Sequence, residues 1–334
     1  MNNNILFCSA GRRARLLLNA KMSIANSGKV IATDNSATAP ALYCADKAYT
    51  VPRIDSSDYI DKILNICKEH DIKAITTLID PEISLLAENI ELFRERNIIP
   101  LCPSKDSSIY CFNKYELYKY LKEKGIKTPL TYHKFEDFIV GLNNNEINFP
   151  VFIKPICGSG SVGAQRVDNI DELNSKLNAG EFDYIIQEYM NYGDCDADVY
   201  VDTISHKAVS IFSKRKIETR IGGASKTISF KDEKLFNFIK EIVSHFEFNG
   251  PLDMDFFIKD GEYYLSEINP RFGGAYIHAY GAGVDFFKLI SNNINGIINE
   301  ENIGNYQEDI VMLMYDDVVI KHKSELLDNN FNLL

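Results

Sequence analysis

The chain is short of what several common chemistries need. Its seven cysteines are an odd number with no Cys-x-x-Cys spacing, and its six histidines are scattered, so neither a disulfide framework nor a zinc site has a pattern to rest on. No basic run occurs, and 36 Lys plus Arg against 47 Asp plus Glu leave a net charge of −11. Nucleic acid and an anionic membrane are therefore poor partners, and an anionic substrate must be held by locally placed cations. No apolar run approaches the length of a membrane span. The opening MNNNILFCSAGRRARLLL has neither a long apolar stretch nor a small-residue cleavage site, which leads to the expectation of a cytoplasmic protein. Internal repeats and low-complexity runs are also missing. What is there is an ordinary globular composition, 45% apolar and 25% charged over 334 residues, enough for about two or three domains.

The first hundred residues alternate strand-like and helix-like patterns: NILFCSA, an Arg-Leu-rich helix, KVIATD, a helix from about Tyr59, KAITTLI, a helix from about Ile83, and IIPLCP. This is the pattern of a parallel α/β layer, with Asp34 and Asp80 at the carboxyl ends of strands, where such sheets place ligands. The first turn, CSAGRRAR, carries Gly11 alone and no Gly-x-Gly-x-x-Gly, so it gives little support to a nicotinamide dinucleotide site. A boundary helix pair follows, SKDSSIYCFNKYELYKYLKEKGIKTP. Asn113 with Glu116 signals an N-cap, and Gly125 with Pro129 the stop. Lys114 falls in the first helical turn, where the dipole mildly disfavours a cation, so a solvent or phosphate role suits it better than dipole pairing.

Next come FPVFIKP, the glycine stretch CGSGSVGAQRV, a short helix near Ile170 to Leu177 and the strand YIIQEYM. A second α/β unit holds a helix from about Lys234 to His245, the pair PLDMDFFIKDGEYYLSEI, a helix near Asp285 to Ile298 and a late strand IVMLMY. The expected division is 1–103, 104–185 and 186–334.

Gly158, Gly160 and Gly163 spell Gly-x-Gly-x-x-Gly, yet Ala-Gln-Arg-Val follows and reads as a strand. A dinucleotide fold needs a helix there, so a glycine hairpin is expected, whose backbone N–H groups can reach phosphate oxygens with no Cβ in the way. No Gly-Lys-Ser/Thr closes the run, which excludes a Walker loop; Lys154 instead precedes it. In YIIQEYMNYGDCDADVYVD an apolar strand ends at Gln187-Glu188-Tyr189 and an acidic cluster begins at Asp194. Adenine needs an apolar slot with edge hydrogen bonds and a ribose needs a carboxylate, which Glu188 and Asp194 are placed to mark. A solvated turn is the plain alternative.

The pair PLDMDFFI and EYYLSEIN is joined by Lys259-Asp260-Gly261. A two-residue Asp-Gly turn would set Met254 across from Glu267 and send Asp255 to the other face. A three-residue loop sets Asp255 opposite Leu265 and Asp253 opposite Glu267, and it is the preferred register. It gathers Leu252, Met254, Phe256, Ile258, Tyr264 and Ile268 on one face and Asp253, Asp255, Glu267 and Asn269 on the other. Asp255, Glu267 and Asn269 then form a Mg²⁺ cluster that needs phosphates to complete its coordination. Pro270 ends the strand, and Arg271 follows on the loop. In SKRKIETRIGGASK, Lys214, Arg215 and Arg220 supply cations; a solvated hairpin edge is the alternative to holding a carboxylate or a transferring phosphoryl group.

In order, Lys114, Lys154 before a glycine hairpin, Gln187-Glu188-Tyr189, the acid six residues on, Asp255 and Glu267-x-Asn269-Pro270-Arg271 resemble the ATP-grasp superfamily. The likeness is close to stand-alone enzymes that look like half of the carbamoyl-phosphate synthase large subunit, and it covers nearly the whole chain. It implies an α/β (α+β ATP-grasp) fold, an N-terminal parallel α/β domain followed by two α+β subdomains clasping ATP. It implies ATP and Mg²⁺, with Mn²⁺ as substitute. Lys114 and Lys154 would hold phosphates beneath the loop Gly158-Ser159-Gly160-Ser161 to Gly163, with Gln187, Glu188 and Tyr189 at the adenine hinge. Asp194, or its neighbour Asp196, would meet the ribose, Asp255, Glu267 and Asn269 the metal, and Arg271 the transferred phosphoryl group, with Arg215 or Arg220 steering the substrate carboxylate.

Aspartate at 255 favours the carboxylate–amine ligase branch over the synthase type, and the absence of a second synthase half argues against two-step carbamoyl phosphate synthesis. The expected activity is therefore amide or peptide bond formation from small carboxylates and amines, amino acids among them, with homodimerisation as the assembly entertained. A carboxyphosphate-forming subunit and a non-catalytic nucleotide-binding regulatory subunit are the alternatives.

Overall fold

The computed structural model describes residues 2–158, 160, 162–220 and 223–328. Three sheets organise them. The first is parallel, β1 (Ile5–Cys8), β2 (Val30–Asp34), β3 (Lys47–Thr50), β4 (Ala74–Thr77) and β5 (Ile99–Pro100), in the order β3-β2-β1-β4-β5. Every residue of β1, β2 and β4 is buried, which is why they read as unbroken apolar runs: crossover helices cover both faces. The strand order reverses between β1 and β4, so the loop after β1 and the start of helix Asp80–Glu88 after β4 border one crevice.

The second sheet, β6 (Thr131–Tyr132), β7 (Val151–Pro155), β8 (Gln165–Val167) and β9 (Tyr184–Glu188), runs β6-β9-β7-β8. The glycine run joins β7 to β8, which pair antiparallel from Val151↔Val167 to Ile153↔Gln165, so it is the hairpin that the sequence indicated. Val151, Ile153 and Ile186 pack with Phe138 and Leu173 from two helices on one face. Phe152 and Lys154 leave the other.

The third sheet holds β10 (Gly193–Val201), β11 (Ala208–Arg220), β12 (Gly223–Phe230), β13 (Gly250–Lys259), β14 (Glu262–Asn269) and β15 (Val311–Leu313), in the order β14-β13-β10-β11-β12-β15. One face is apolar: Ala197, Val199, Leu252, Met254, Phe256, Leu265 and Ile268 are buried there, with Phe238 of helix Glu233–Val243 packed on Phe256. Phe272 joins this sheet to the first one by packing on Phe7 and Phe287. Among the described residues no helix is long and apolar enough to cross a membrane.

The β13–β14 hairpin corrects the expected register. Lys259 pairs with Glu262, and Asp260 (φ 52°) and Gly261 (φ 73°) make a two-residue turn, not a three-residue loop. Both central residues are left-handed, the condition that Asp-Gly satisfies most readily. By itself this turn would set Met254 opposite Glu267. A bulge at Ser266 absorbs the phase error: Phe256 faces Leu265, and the next pair is Asp255 with Glu267, then Met254 with Ile268 and Asp253 with Asn269. Asp255 thus faces Glu267 and not Leu265, and Asp253 faces Asn269 and not Glu267. Tyr263 and Leu265 take the place of Tyr264 on the apolar face.

Candidate active site

The polar face of the third sheet is built as rungs across β11, β10, β13 and β14. One rung reads Lys214, Asp196, Asp255, Glu267; the next, toward the first sheet, ends in Asp198, Asp253, Asn269. The five acids and the amide share this face because side chains two apart along a strand point the same way. Asp255 and Glu267, directly paired with Asn269 one rung along, are two carboxylates and an amide. That set fits Mg²⁺, which takes few protein oxygens and keeps positions for water and phosphate. Among the described residues no group of three or more His, Cys, Asp or Glu could hold a metal ion unaided.

Cations surround this pair. Lys216 Nζ lies 2.7 Å from Asp255 Oδ1, 2.8 Å from Asp196 Oδ1 and 3.4 Å from Asp194 Oδ2. Burial and then the Asp255 charge push the Asp196 carboxyl well above its ordinary range. Burial acts the same way on Asp255, but Lys216 and the hydrogen bond with Asp196 outweigh it and hold Asp255 below its usual value. Of the two carboxyls, Asp255 is the one whose charged form the site favours. Lys114, in the first turn of helix Lys114–Glu123, donates to the Gly158 carbonyl at 2.6 Å and lies 3.9 Å from Glu267 Oε1. The Asn113 cap, accepting from the N–H groups of Tyr115 and Glu116, fixes where that turn begins. Lys154 is buried, and desolvation lowers its pKa.

One rung inward, Lys214 Nζ donates to Asp198 Oδ2 at 2.6 Å, with side chains 0% and 1% exposed. Burial pushes Asp253 up to about 7, against the pull of Lys214. Arg271, 15% exposed, donates through Nε to Asp80 Oδ1 at 2.6 Å, through a terminal nitrogen to Asp80 Oδ2 at 3.3 Å, and at 3.5 Å to Asn269 Oδ1. The Asn269 amide is in this way tied to the helix that follows β4. Arg13 comes from the loop after β1 and donates to the carbonyls of Phe272 and Gly273. Burial and then Arg271 bring its pKa down to about 10. Behind Asp80, the buried Glu82 accepts from Ser9 and Thr77, each at 2.6 Å, and from Tyr59, fastening the β1 loop to the helix that carries Asp80.

Several expected roles fall differently. Gln187 is buried and donates to Thr131 Oγ1 at 2.9 Å. Glu188 accepts from Leu130 N at 3.0 Å and faces Lys259 at 3.4 Å, so its carboxylate ties the end of β9 to the segment before β6 and to β13. Tyr189 stacks on Phe152 beneath the Arg166 guanidinium. Asp194 pairs with Lys216. Arg215 leaves the opposite face of β11 and lies over Phe230, 4.5 Å from its ring centre, which removes it from the cluster. Strand alternation is the reason, since a residue between Lys214 and Lys216 cannot share their face. Arg220 is 58% exposed and pairs with Glu218 and Asp316, each at 3.8 Å. Ser159 and Ser161 lie outside the described residues; Gly158, Gly160 and Gly163 all have positive φ, which the loop needs to turn between β7 and β8. Sequence reasoning missed Lys216 and Arg13. For Lys216 the signal was available, because it stands two residues after Lys214.

Residues 5–101 match the family described as PylC-like, N-terminal domain, and residues 111–275 match the ATP-grasp domain family. The chain belongs to the ATP-grasp family. It is 30% identical over 246 residues to the D-alanine–D-alanine ligase of Wolinella succinogenes, covering 67% of each chain. It is 27% identical over 183 residues to the alpha-aminoadipate–LysW ligase LysX of Saccharolobus solfataricus, covering 51% of this ATP-grasp chain and 65% of that protein. The N5-carboxyaminoimidazole synthetase of Staphylococcus aureus superposes with a TM-score of 0.70 at 17% identity, over 90% of this chain and 79% of the other, a likeness of fold. The chain spans about half to two thirds of the length of the first curated relatives it matches.

Proposed function

We propose that this ATP-grasp chain is an ATP-dependent carboxylate–amine ligase. A substrate carboxylate attacks the γ-phosphate of ATP to give an acyl phosphate and ADP, and an amine displaces phosphate to form an amide or peptide bond. The observation that carries the reading is the direct pairing of Asp255 with Glu267 beside Asn269, under a lysine already bonded to the glycine loop. Asp255, Glu267 and Asn269 would hold Mg²⁺, which when bound supplies charge neutralisation at the phosphates. Lys114 and Lys154 place positive charge where phosphoryl oxygens gain negative charge, and Arg271 is held rigid by Asp80 next to Asn269. Positioning and neutralisation suffice for phosphoryl transfer, so no Ser, Cys or His nucleophile is called for.

With Arg215 on the other face, carboxylate steering falls to Arg220 and to Arg13. Asp194 and Asp196 are the acids nearest a ribose, with Lys216 as their counter-ion. Residues 1–103, 104–185 and 186–334 would serve as domains, with the second boundary moved past Glu188, because β9 (Tyr184–Glu188) runs across 185 and belongs to the second sheet. The reaction belongs in the cytoplasm, where Mg·ATP is at hand. The test is a phosphate-release screen of carboxylates crossed with amines, with product mass read for each hit and Glu267→Gln as the control. ADP release that no carboxylate stimulates would overturn the reading.

A further inference from the structure

The segment that follows β15 crosses from the third sheet to the first domain. From Met314 to His322 it forms neither helix nor strand. Met314 N donates to Ser225 O at 2.9 Å, and Leu327 N reaches the Tyr43 hydroxyl at 3.3 Å. Between them Tyr315, Val318 and Ile320 are 72%, 75% and 86% exposed, so apolar burial does not anchor these residues. The two acids of the segment face arginines instead. Asp316 has Oδ1 3.9 Å from Arg12 and Oδ2 3.8 Å from Arg220, and Asp317 Oδ2 is 3.9 Å from Arg15. Arg12 and Arg15 stand at the start of helix Ala14–Ile24, whereas Arg220 ends β11.

One carboxylate is thus bracketed by guanidinium groups from two domains, an arrangement suited to an anionic group. Charge is not balanced there. Three arginines meet two aspartates, and Glu218, 3.8 Å from Arg220, is already matched by Lys226 at 2.6 Å. The arginine contacts with the tail are longer than hydrogen bonds, and exposed ion pairs of this kind contribute little. The acids therefore occupy the arginines without locking them. Arg13, the neighbour of Arg12, donates to the carbonyl of Gly273, two residues after Arg271, which sets the cluster at the rim of the phosphoryl-transfer cleft.

We propose that Arg12, Arg15 and Arg220 form a binding site for a dianionic group, a phosphate or a pair of carboxylates, and that Asp316 and Asp317 are its built-in competitor, displaced when that group arrives. The inference rests on the ligase reading for the molecule concerned and narrows it: the acid that Arg220 steers carries a further acidic function, held together with Arg12 and Arg15. Tethered acids act at an effective concentration on the order of millimolar. A monocarboxylate offers the arginines nothing that the aspartates lack and competes poorly, whereas a dianion meets two or three guanidinium groups at once and displaces both acids.

The test uses the full chain with Mg²⁺ and a non-hydrolysable ATP analogue, which keeps Lys114 and Lys154 occupied. Inorganic phosphate, succinate and acetate are titrated by calorimetry at constant ionic strength. Phosphate or succinate binds, and acetate binds about tenfold more weakly or less; the tighter of the two dianions tells a phosphorylated substrate from a dicarboxylic one. Asp316→Asn with Asp317→Asn strengthens dianion binding by about fivefold or more, because the competitor is gone, and Arg12→Gln with Arg15→Gln weakens it by about tenfold or more. Glu300→Gln with Glu301→Gln, which neutralises exposed acids elsewhere, leaves it unchanged and separates competition from net charge. Thermal melting of the tail and arginine variants matches the wild type, since all four side chains are more than half exposed. Acetate binding as tightly as the dianions, dianion affinity unchanged in either the tail or the arginine variant, or an equal gain in the Glu300 and Glu301 variant overturns the site. The ligase reading fails separately, when no carboxylate stimulates ADP release while the dianion results stand.

Discussion

Lys214 and Lys216 stand two residues apart on one face of β11, and they do different work. Lys214 has a single short partner, Asp198, and both are sealed from solvent. Lys216 is 17% exposed and spreads one charge over Asp194, Asp196 and Asp255. The inner pair is matched one to one and closed. The outer cluster has more negative than positive charge and an open side, so a further cation can enter without breaking the core. Burial at one end and access at the other turn the same residue types into a structural ion pair and an open, acid-rich cluster.

The largest expected effect comes from emptying the outer rung. Glu267→Gln should lower carboxylate-stimulated ADP formation by about a hundredfold or more, since it removes charge stabilisation from the phosphoryl-transfer site. Thermal melting should hardly change, because Glu267 borders the cleft. The inner pair should show the reverse. Lys214→Met leaves Asp198 buried and uncompensated, at a cost of about 3–5 kcal/mol in urea unfolding, and Lys214→Met with Asp198→Leu should regain much of it. A smaller effect is expected at Lys216. Lys216→Ala should lose about 1 kcal/mol in the presence of a chelator, an effect of ordinary size for a partly open ion cluster. Millimolar Mg²⁺ should restore that loss while leaving Lys214→Met unrescued; equal behaviour of the two variants would erase the distinction drawn between the rungs.

A further effect, independent of any bound cation, is expected at Asp202, just past the end of β10. Asp202 is fully buried, and although burial raises its pKa, hydrogen bonds from Asn293, Ser205 and Asn299 win and hold it at about 2. A depressed folded-state pKa gives stability that is present above the ordinary value of 3.8 and lost as pH falls through about 2. Urea midpoints measured from pH 5 down to pH 2 should fall, and Asp202→Asn should flatten that slope.

Much of the site was legible because strands carry a period of two. DMD, SEIN and DCDAD announce acids on one face, and the glycine run flanked by strand-forming residues announces a hairpin. The first sheet was equally readable, its strands being buried on both sides and its helices amphipathic. The hairpin register was not, since the turn residues and the face pattern disagree by one residue and only the bulge at Ser266 reconciles them. Nor was Arg271 readable as a tie to Asp80, 191 residues earlier, or Arg13 as a donor to the backbone at Gly273.

Sequence alone determined which residue types leave each strand on the same side, because alternation is a property of the local backbone. It also placed the lysines and glycines that a nucleotide requires in the right order. Tertiary structure decided which carboxylate faces which cation and which oxygens are left free. Those outcomes depend on the packing of strands and loops that are distant along the chain, and a shift of one residue in that packing exchanges every partner.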